Sequence, residues 1–263
     1  MIAETVIIHG GDLIEWHEAG AFIGRPPCRI PSGRLNIEFK KASPSLRIVH
    51  KTNGMLLWSR NSSAASLVVN GEATAEDMKR ASAATYPIIG SVSDSSGCYL
   101  PRIFTLMLGG SSQHVIQLHR SPVGARFTNA GGIFGQVVFD DGTVAPWALI
   151  YLTLTPPLTT PISFVAQADN NGEFRLPLDR MPAQQQKHAS TTEYSAKLTV
   201  KAVRTEHPEH PVDPDTLTAV KVAKGVTVSG KSQFADTLNL AITPGKIANI
   251  VSPRHQRIVI KSN

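Results

Sequence analysis

The chain has 263 residues, of which 41% are apolar, 17% charged and 6% aromatic. This balance excludes a disordered chain, predicts at least one packed core and, at roughly 100–200 residues per domain, favours two domains. The 20 glycines and 18 prolines are spread along the whole length and argue against a helical bundle or a coiled coil. Apolar runs stay shorter than the roughly 18 residues of a membrane helix. An acid, Glu4, stands where a signal peptide has a basic segment. We therefore expect no membrane insertion and no signal peptide.

The net charge is +6 and the isoelectric point is near 9.4, which raises the question of a nucleic-acid partner. A phosphate-binding face needs clustered basic residues, often interleaved with aromatic ones. Lys40 and Lys41 form a doublet, but most lysines and arginines are dispersed and lack such aromatic neighbours. We expect no nucleic-acid binding. A well-mixed basic surface instead suits docking on an acidic protein partner.

The two cysteines, Cys28 and Cys98, are far apart in the sequence, and neither belongs to a Cys-x-x-Cys pair. This spacing excludes the common zinc and redox motifs. Without an export signal, reduced thiols are the expectation. Sequence leaves open whether the fold brings the two residues together.

Alternation of polar and apolar residues dominates the first 120 residues and predicts a β domain. In residues 34–40 the alternation places Leu35, Ile37 and Phe39 on one buried face. The Asn53–Gly54 pair predicts a hairpin turn. The strands predicted in this part are residues 2–8 (closed by a turn at 9–12), 34–40, 45–50, 55–58, 66–69, 99–108 and 113–118.

Residues 74–84 have a different pattern, with good helix formers and no glycine or proline. Thr74 can cap the first turn, acids follow it and bases come later, as the helix dipole favours. The sequence predicts one short helix here, ended by Pro87. Residues 119–132 are predicted to be a linker.

The strands predicted after the linker are residues 135–139, 149–154, 162–168, 173–178 and 194–203, with turns at 140–142 and 169–172. Short strands with turn signals at this spacing are typical of a small antiparallel sandwich.

Three segments in this region carry a family resemblance: Gly135–Val138, Val144–Ala148 and Ala168–Leu176. On these segments, residues 133–204 resemble the carboxypeptidase regulatory-like domain, a transthyretin-like β-sandwich of the immunoglobulin-like class. Gly172 would take the positive-φ turn position and Phe174 would enter the core. Trp147 departs from the family, which more often has a small residue there. Modules of this family are accessory scaffolds, so the resemblance implies no chemistry of its own.

Residues 205–263 begin with a proline-spaced stretch, 205–217, that is predicted to be extended. Strands are predicted at 220–228 and 234–242, but the region holds too few large apolar residues for a separate core. It either completes the preceding sandwich with added strands or lies as an arm on a neighbouring subunit.

The order of parts, a β domain, then a sandwich, then such a tail, is similar to structural proteins of contractile phage tails and related injection particles. The resemblance implies a non-catalytic structural subunit of a tail or baseplate. Its partners would be other structural subunits, including copies of itself, with the C-terminal arm contacting a neighbour. It would reside in a virion or phage-like particle assembled in the bacterial cytoplasm. The alternative is a carbohydrate-binding or surface-adhesion protein, because Trp16, Trp58 and Trp147 could stack on sugars.

The strongest candidate for chemistry is the run from Glu206 to His210, whose two imidazoles and two carboxylates suit zinc. Pro208 and Pro211 are expected to hold the run extended, which favours a solvated loop over a metal site. The turn at 169–172 starts like a calcium loop. Its twelfth position is Arg180, the wrong charge, so a hairpin turn is favoured.

Two further patterns resemble parts of active sites. Gly109–Ser112 lacks the second glycine and the following helix of a serine-hydrolase elbow. The His9, His17, Glu15 and Glu18 group is expected to be a surface cluster. We therefore assign no catalytic, cofactor-binding or metal residues, expect no cofactor, and predict that the chain is not an enzyme.

Overall fold

The structure is a computed structural model that describes residues 11–20, 28–41, 46–59, 85–109, 112–155, 160–178 and 193–262. It is mainly β, as predicted. Within these ranges the helical residues are two 3-10 turns, Ser32–Arg34 and Pro214–Thr216, and no helix is long and apolar enough to cross a membrane. The predicted helix at 74–84 and the predicted strands at 2–8 and 66–69 lie outside the described residues.

The strands of the described residues, in chain order, are β1 (Asp12–Glu18), β2 (Leu35–Lys41), β3 (Leu46–Lys51), β4 (Gly54–Ser59), β5 (Tyr86–Asp94), β6 (Arg102–Leu108), β7 (Gln113–Leu118), β8 (Gly132–Phe139), β9 (Leu149–Thr155), β10 (Ile162–Gln167), β11 (Glu173–Pro177), β12 (Tyr194–Ala202), β13 (Thr218–Val220), β14 (Val222–Val226), β15 (Ser232–Ala235), β16 (Leu238–Ile242), β17 (Ile247–Asn249) and β18 (Ile258–Ile260).

The chain divides into two compact units, and it enters each of them more than once. The first unit comprises Met1–His17, Cys28–Ser95 and Ile103–Gln117, and the second comprises Glu18–Pro27, Ser96–Arg102 and Leu118–Asn263.

The first unit contains a sheet of order β3-β4-β1-β7 and a sheet of order β2-β5-β6. Aromatic rings join the two sheets, because Phe104 of β6 meets Trp16 of β1 edge-on at 5.8 Å and Phe39 of β2 at 6.2 Å. The predicted face of β2 is confirmed: Leu35 is buried, and Ile37 and Phe39 are partly buried between exposed neighbours. Strand alternation thus builds this core as the sequence indicates.

The predicted hairpin is present as β3 and β4, but its turn differs by one residue. Lys51 pairs with Gly54, so Thr52 and Asn53 form the turn. Gly54 is instead the first residue of β4, where an added Cβ would lie 2.5 Å from the Ile14 carbonyl oxygen of β1. Close approach of a neighbouring strand, and not turn geometry, requires glycine there.

The sequence does not predict strand β5, because Pro87 there indicates the end of a helix. The structure places Pro87 within β5. The pairing of β5 with β2 begins only at Ile89, opposite Lys41, so the missing N–H of Pro87 costs that ladder no hydrogen bond.

The second unit is a sandwich of two sheets that share one hydrophobic core. In the first sheet β9 lies between β10 and β12, and the other edge of β12 pairs with β16 and β13. In the second sheet β8 pairs with β11 on one edge and with β17 and β18, both parallel, on the other. β18 continues to β14 and β15.

Of the two alternatives for residues 205–263, the structure has the added strands. This region supplies β13 and β16 to the first sheet and β14, β15, β17 and β18 to the second. Val222, Ile258 and Ile260 are fully buried in the shared core. A stretch too poor in large apolar residues for its own core therefore contributes them to a common one.

Candidate functional site

Asp12 of β1, buried at 3% exposure, is a structural carboxylate of the first unit. One of its oxygens accepts a 2.7 Å hydrogen bond from the Gly109 backbone N–H, and the other accepts a 2.9 Å bond from the Ser112 backbone N–H. It therefore closes the connection between β6 and β7, the segment that resembles part of a serine-hydrolase elbow. Gly110 and Ser111 lie outside the described residues.

Glu15 of β1 is also buried, at 6% exposure, so the prediction of a surface cluster is wrong for this residue. The cause is the sheet order, which places β1 between β4 and β7. Its carboxylate accepts a 2.9 Å hydrogen bond from Gln113 and lies 3.1 Å from His17 Nε2 and 3.3 Å from the Arg29 guanidinium. These contacts tie β1 to β7 and to the segment before β2.

Glu18 has a separate role within the second unit. The Arg120 guanidinium donates to both of its carboxylate oxygens, at 2.6 and 2.8 Å, and the Tyr99 hydroxyl donates at 2.9 Å. Such a bidentate pair fixes two segments in orientation as well as in distance. The last member of the predicted cluster, His9, lies outside the described residues.

Arg102, at the start of β6, is buried at 4% side-chain exposure and pairs with two carboxylates of the second unit. Its guanidinium donates to Asp213 at 2.7 Å and to Asp215 at 2.8 Å. His119 lies in the same environment, and the pKa of its imidazole falls to about 3, first through burial and then through the nearby Arg102 charge. The paired guanidinium ties the start of β6 to the 3-10 turn at Pro214–Thr216.

A third cross-link is exposed. The Arg204 guanidinium donates to Asp141 at 2.6 Å and to the Ser262 hydroxyl at 2.9 Å, and lies over the Phe139 ring. The pKa of the Asp141 carboxyl is lowered by hydrogen bonds, most strongly by the one from Thr143 and next by the one from Arg204. A hydrogen bond from the Ser262 hydroxyl lowers the pKa of Asp140.

The segment 169–172 is a turn, but the prediction of a hairpin is wrong, because β10 before it and β11 after it belong to different sheets. An oxygen of Asp169 accepts from the Asn171 and Glu173 backbone N–H groups at 2.8 and 2.9 Å. Gly172 has φ +71°, and Phe174 is buried at 1% exposure, so both expectations for these residues are confirmed. The carboxylate is used by the turn itself, and Arg180 lies outside the described residues.

The tryptophans do not form a sugar platform where the structure describes them. Trp16 is fully buried, and Trp147 is 4% exposed. The side chain of Trp58 lies outside the described residues. Trp147 has φ +60°, a conformation that bulky side chains rarely adopt, and its indole N–H donates to the Pro208 carbonyl at 2.9 Å.

The prediction that the run 206–210 is extended is wrong. The structure folds this run into a turn. The His210 N–H donates to the His207 carbonyl at 3.1 Å, with Pro208 at the second turn position, which proline favours. The turn gathers His207, Glu209 and His210, while Glu206 stays outside the group. A hydrogen bond from its own backbone N–H, followed by the charges of the histidine neighbours, lowers the pKa of Glu209.

A cleft of about 620 Å³ opens in the second unit among β12, β13 and the segment after β18. Lys201, Lys221 and Lys261 line it together with a single acid, Asp236. A cleft with this charge balance favours carboxylate-bearing groups of a partner.

Cys28 and Cys98 are not bonded to each other.

A scan against models of known protein families finds no match, and neither does a search of curated proteins.

Proposed function

We propose that this chain is a non-catalytic structural subunit of a phage tail, baseplate or related contractile injection particle, and that it acts through protein–protein interfaces. The proposal combines the similarity in the order of parts with one structural observation, the exposure of strand β3. The charge clusters support it, because Asp12, Glu15, Glu18 and Arg102 bind other segments of their own unit.

Strand β3 lies at the end of its sheet, and among the described residues it pairs only with β4. All its residues after Leu46 are exposed. Ile48 and Val49, which point to opposite faces, are 39% and 45% exposed. An edge strand with apolar side chains on both faces is a template for strand addition.

The charge of β3 favours an unlike partner. Arg47 and Lys51 flank the two apolar residues, so two copies of this strand would repel each other. An acidic strand of a neighbouring subunit would pair with it, and the lysine-lined cleft has the same preference. The burial of Trp16 and Trp147 counts against the alternative of carbohydrate binding, because neither indole offers a surface on which a sugar could stack.

The first test is whether the protein belongs to a particle. Particles purified from producing cells are analysed by quantitative mass spectrometry, and we expect this chain at a fixed ratio to the other particle proteins. Its absence from the particle fraction refutes the assignment. Deleting residues 205–263 is unsuitable as a test of assembly, because those residues complete the sandwich core.

The second test addresses β3. The double variant Ile48→Glu/Val49→Glu adds acids to an exposed strand, while Val228→Glu makes the same change in a fully exposed turn. We expect the double variant to fold normally and its incorporation into particles to fall at least about tenfold, equivalent to about 1.4 kcal/mol of binding free energy. Val228→Glu should incorporate like wild type. Equal incorporation of the double variant would exclude β3 as the interface.

A further inference from the structure

The turn at His207–His210 brings together three side chains with the donor atoms of a transition-metal site. The ligating atoms of His207, Glu209 and His210 all lie within 4.8 Å of one another. His207 Nδ1 is 3.3 Å from Glu209 Oε1, and His210 Nε2 is 3.8 Å from the same oxygen. The two imidazole rings lie side by side, with centroids 5.3 Å apart.

These distances match the demand of a tetrahedral ion. Zinc bonds of about 2.0–2.2 Å to nitrogen and oxygen place neighbouring ligand atoms roughly 3.3–3.6 Å apart. The two carboxylate–imidazole distances are already close to that range. All three side chains are more than half exposed, so small rotations of the rings suffice to complete the geometry.

The backbone holds the three residues in this arrangement. The hydrogen bond from His210 N–H to the His207 carbonyl closes the turn, and the Thr205 hydroxyl accepts from the His207 N–H at 3.1 Å. The Pro208 ring fixes φ at the second turn position. The backbone that carries the ligands is therefore ordered before any ion arrives, which lowers the entropic cost of binding.

An independent observation also points to this turn. Trp147, buried and at φ +60°, donates its indole N–H to the Pro208 carbonyl inside the turn. Such a conformation is costly for a bulky residue and persists only where its surroundings fix it. The backbone N–H of Trp147 donates to the Asp169 carbonyl, and the backbone carbonyl of Trp147 accepts from the Gln167 side-chain amide at 3.2 Å. A rigid part of the sandwich thus anchors the turn.

We propose that His207, Glu209 and His210 bind a divalent ion of the zinc class, with the fourth position open to water. Two imidazoles and one carboxylate form a ligand set typical of zinc, and three protein ligands leave one coordination position free. The Glu209 carboxylate also offsets part of the charge of the ion.

The test is isothermal titration of the full-length, untagged protein with ZnCl₂, supported by the visible spectrum of bound Co²⁺. We expect one ion per chain with a tetrahedral Co²⁺ spectrum. His207→Ala, Glu209→Gln and His210→Ala should each weaken binding at least about tenfold, because each removes a direct ligand. Matched controls are Glu206→Gln, a neighbouring acid outside the group, and His50→Ala, an exposed histidine on β3.

A further variant tests whether the fold holds the turn in the arrangement that binds the ion. Trp147→Phe removes the indole donor to Pro208, and we expect weaker Zn²⁺ binding although no ligand is changed. Urea unfolding without metal checks that each variant is folded. Failure of the wild type to bind one equivalent, or full binding in both histidine variants, overturns the proposal. Binding that is lost only when Cys28 is alkylated assigns the ion to that thiol and overturns it too.

Discussion

As the pH falls, the buried His119 lowers the stability of the fold before the carboxylates do. The pKa of this imidazole is about 3 in the folded protein, because burial removes water and Arg102 adds positive charge, while Asp215 opposes the shift. In an unfolded chain the value is about 6.5. The unfolded state therefore binds the extra proton, and stability falls as the pH drops from about 6.5 towards about 3, with no effect above that window.

The magnitude follows from the two pKa values. At about pH 5 the pH is about 1.5 units below the pKa of the unfolded chain. At about 1.36 kcal/mol per unit, the free energy of unfolding is then about 2 kcal/mol lower than at pH 7.5. Asp140 and Asp141, whose pKa values are lowered from 3.8, contribute only below that value. Between about pH 7.5 and 5, these two carboxyls therefore do not mask the effect of His119 on stability.

The assay is urea unfolding at about pH 7.5, 6.5 and 5, comparing wild type with His119→Gln. The glutamine keeps a polar side chain but cannot titrate. We expect the variant to lose about 2 kcal/mol less than wild type between pH 7.5 and 5. NMR titration should show a neutral His119 at about pH 5. An NMR midpoint near 6.5, or identical pH dependence in both proteins, would refute the burial argument.

Two substitutions test the turn and the buried ion pair by urea unfolding. Gly172→Ala should cost at least about 1 kcal/mol more than Gly142→Ala, since both glycines have positive φ but only the first would place a Cβ 2.6 Å from a carbonyl oxygen. Equal costs would contradict the crowding argument. Arg102→Met should cost about 3 kcal/mol, because it leaves Asp213 largely buried without its cation. The exposed pair of Arg204 should contribute less than about 1 kcal/mol, so a comparable loss in Arg204→Met would show that burial is not the cause.

Local patterns predicted those parts of the fold that depend on local chemistry. The alternation in residues 34–40 and the turn at 169–172 are encoded by neighbours in the chain, and both are present. Strand β5 could not be recognised, because Pro87 indicates a break unless the position of the partner strand is known. The same holds for β17 and β18, whose short sequences become strands only beside β8.

The metal-ligand candidates show the same limit. The histidines and the acid of the 206–210 run were recognised by residue type, but the expected extended backbone was wrong. Two prolines within four residues suggest extension, whereas Pro208 here occupies a turn position fixed by Trp147, about 60 residues earlier. The burial of Glu15 likewise depends on sheet order, which sequence spacing does not encode.

The parallel pairing of β8 with β17 and β18 has a consequence for synthesis on the ribosome. β8 is made early in the second unit, yet the part of its edge at Val137–Phe139 stays open until Ile258–Ile260 have left the exit tunnel. Until then a nascent chain carries an uncovered β-edge beside unfilled core positions, which is the kind of species that chaperones bind. Translation that stalls after β12 would leave this edge exposed, and pairing over so long a separation should make the final closure slow. The pairing of β18 with β8 therefore determines when this edge is no longer available for aggregation.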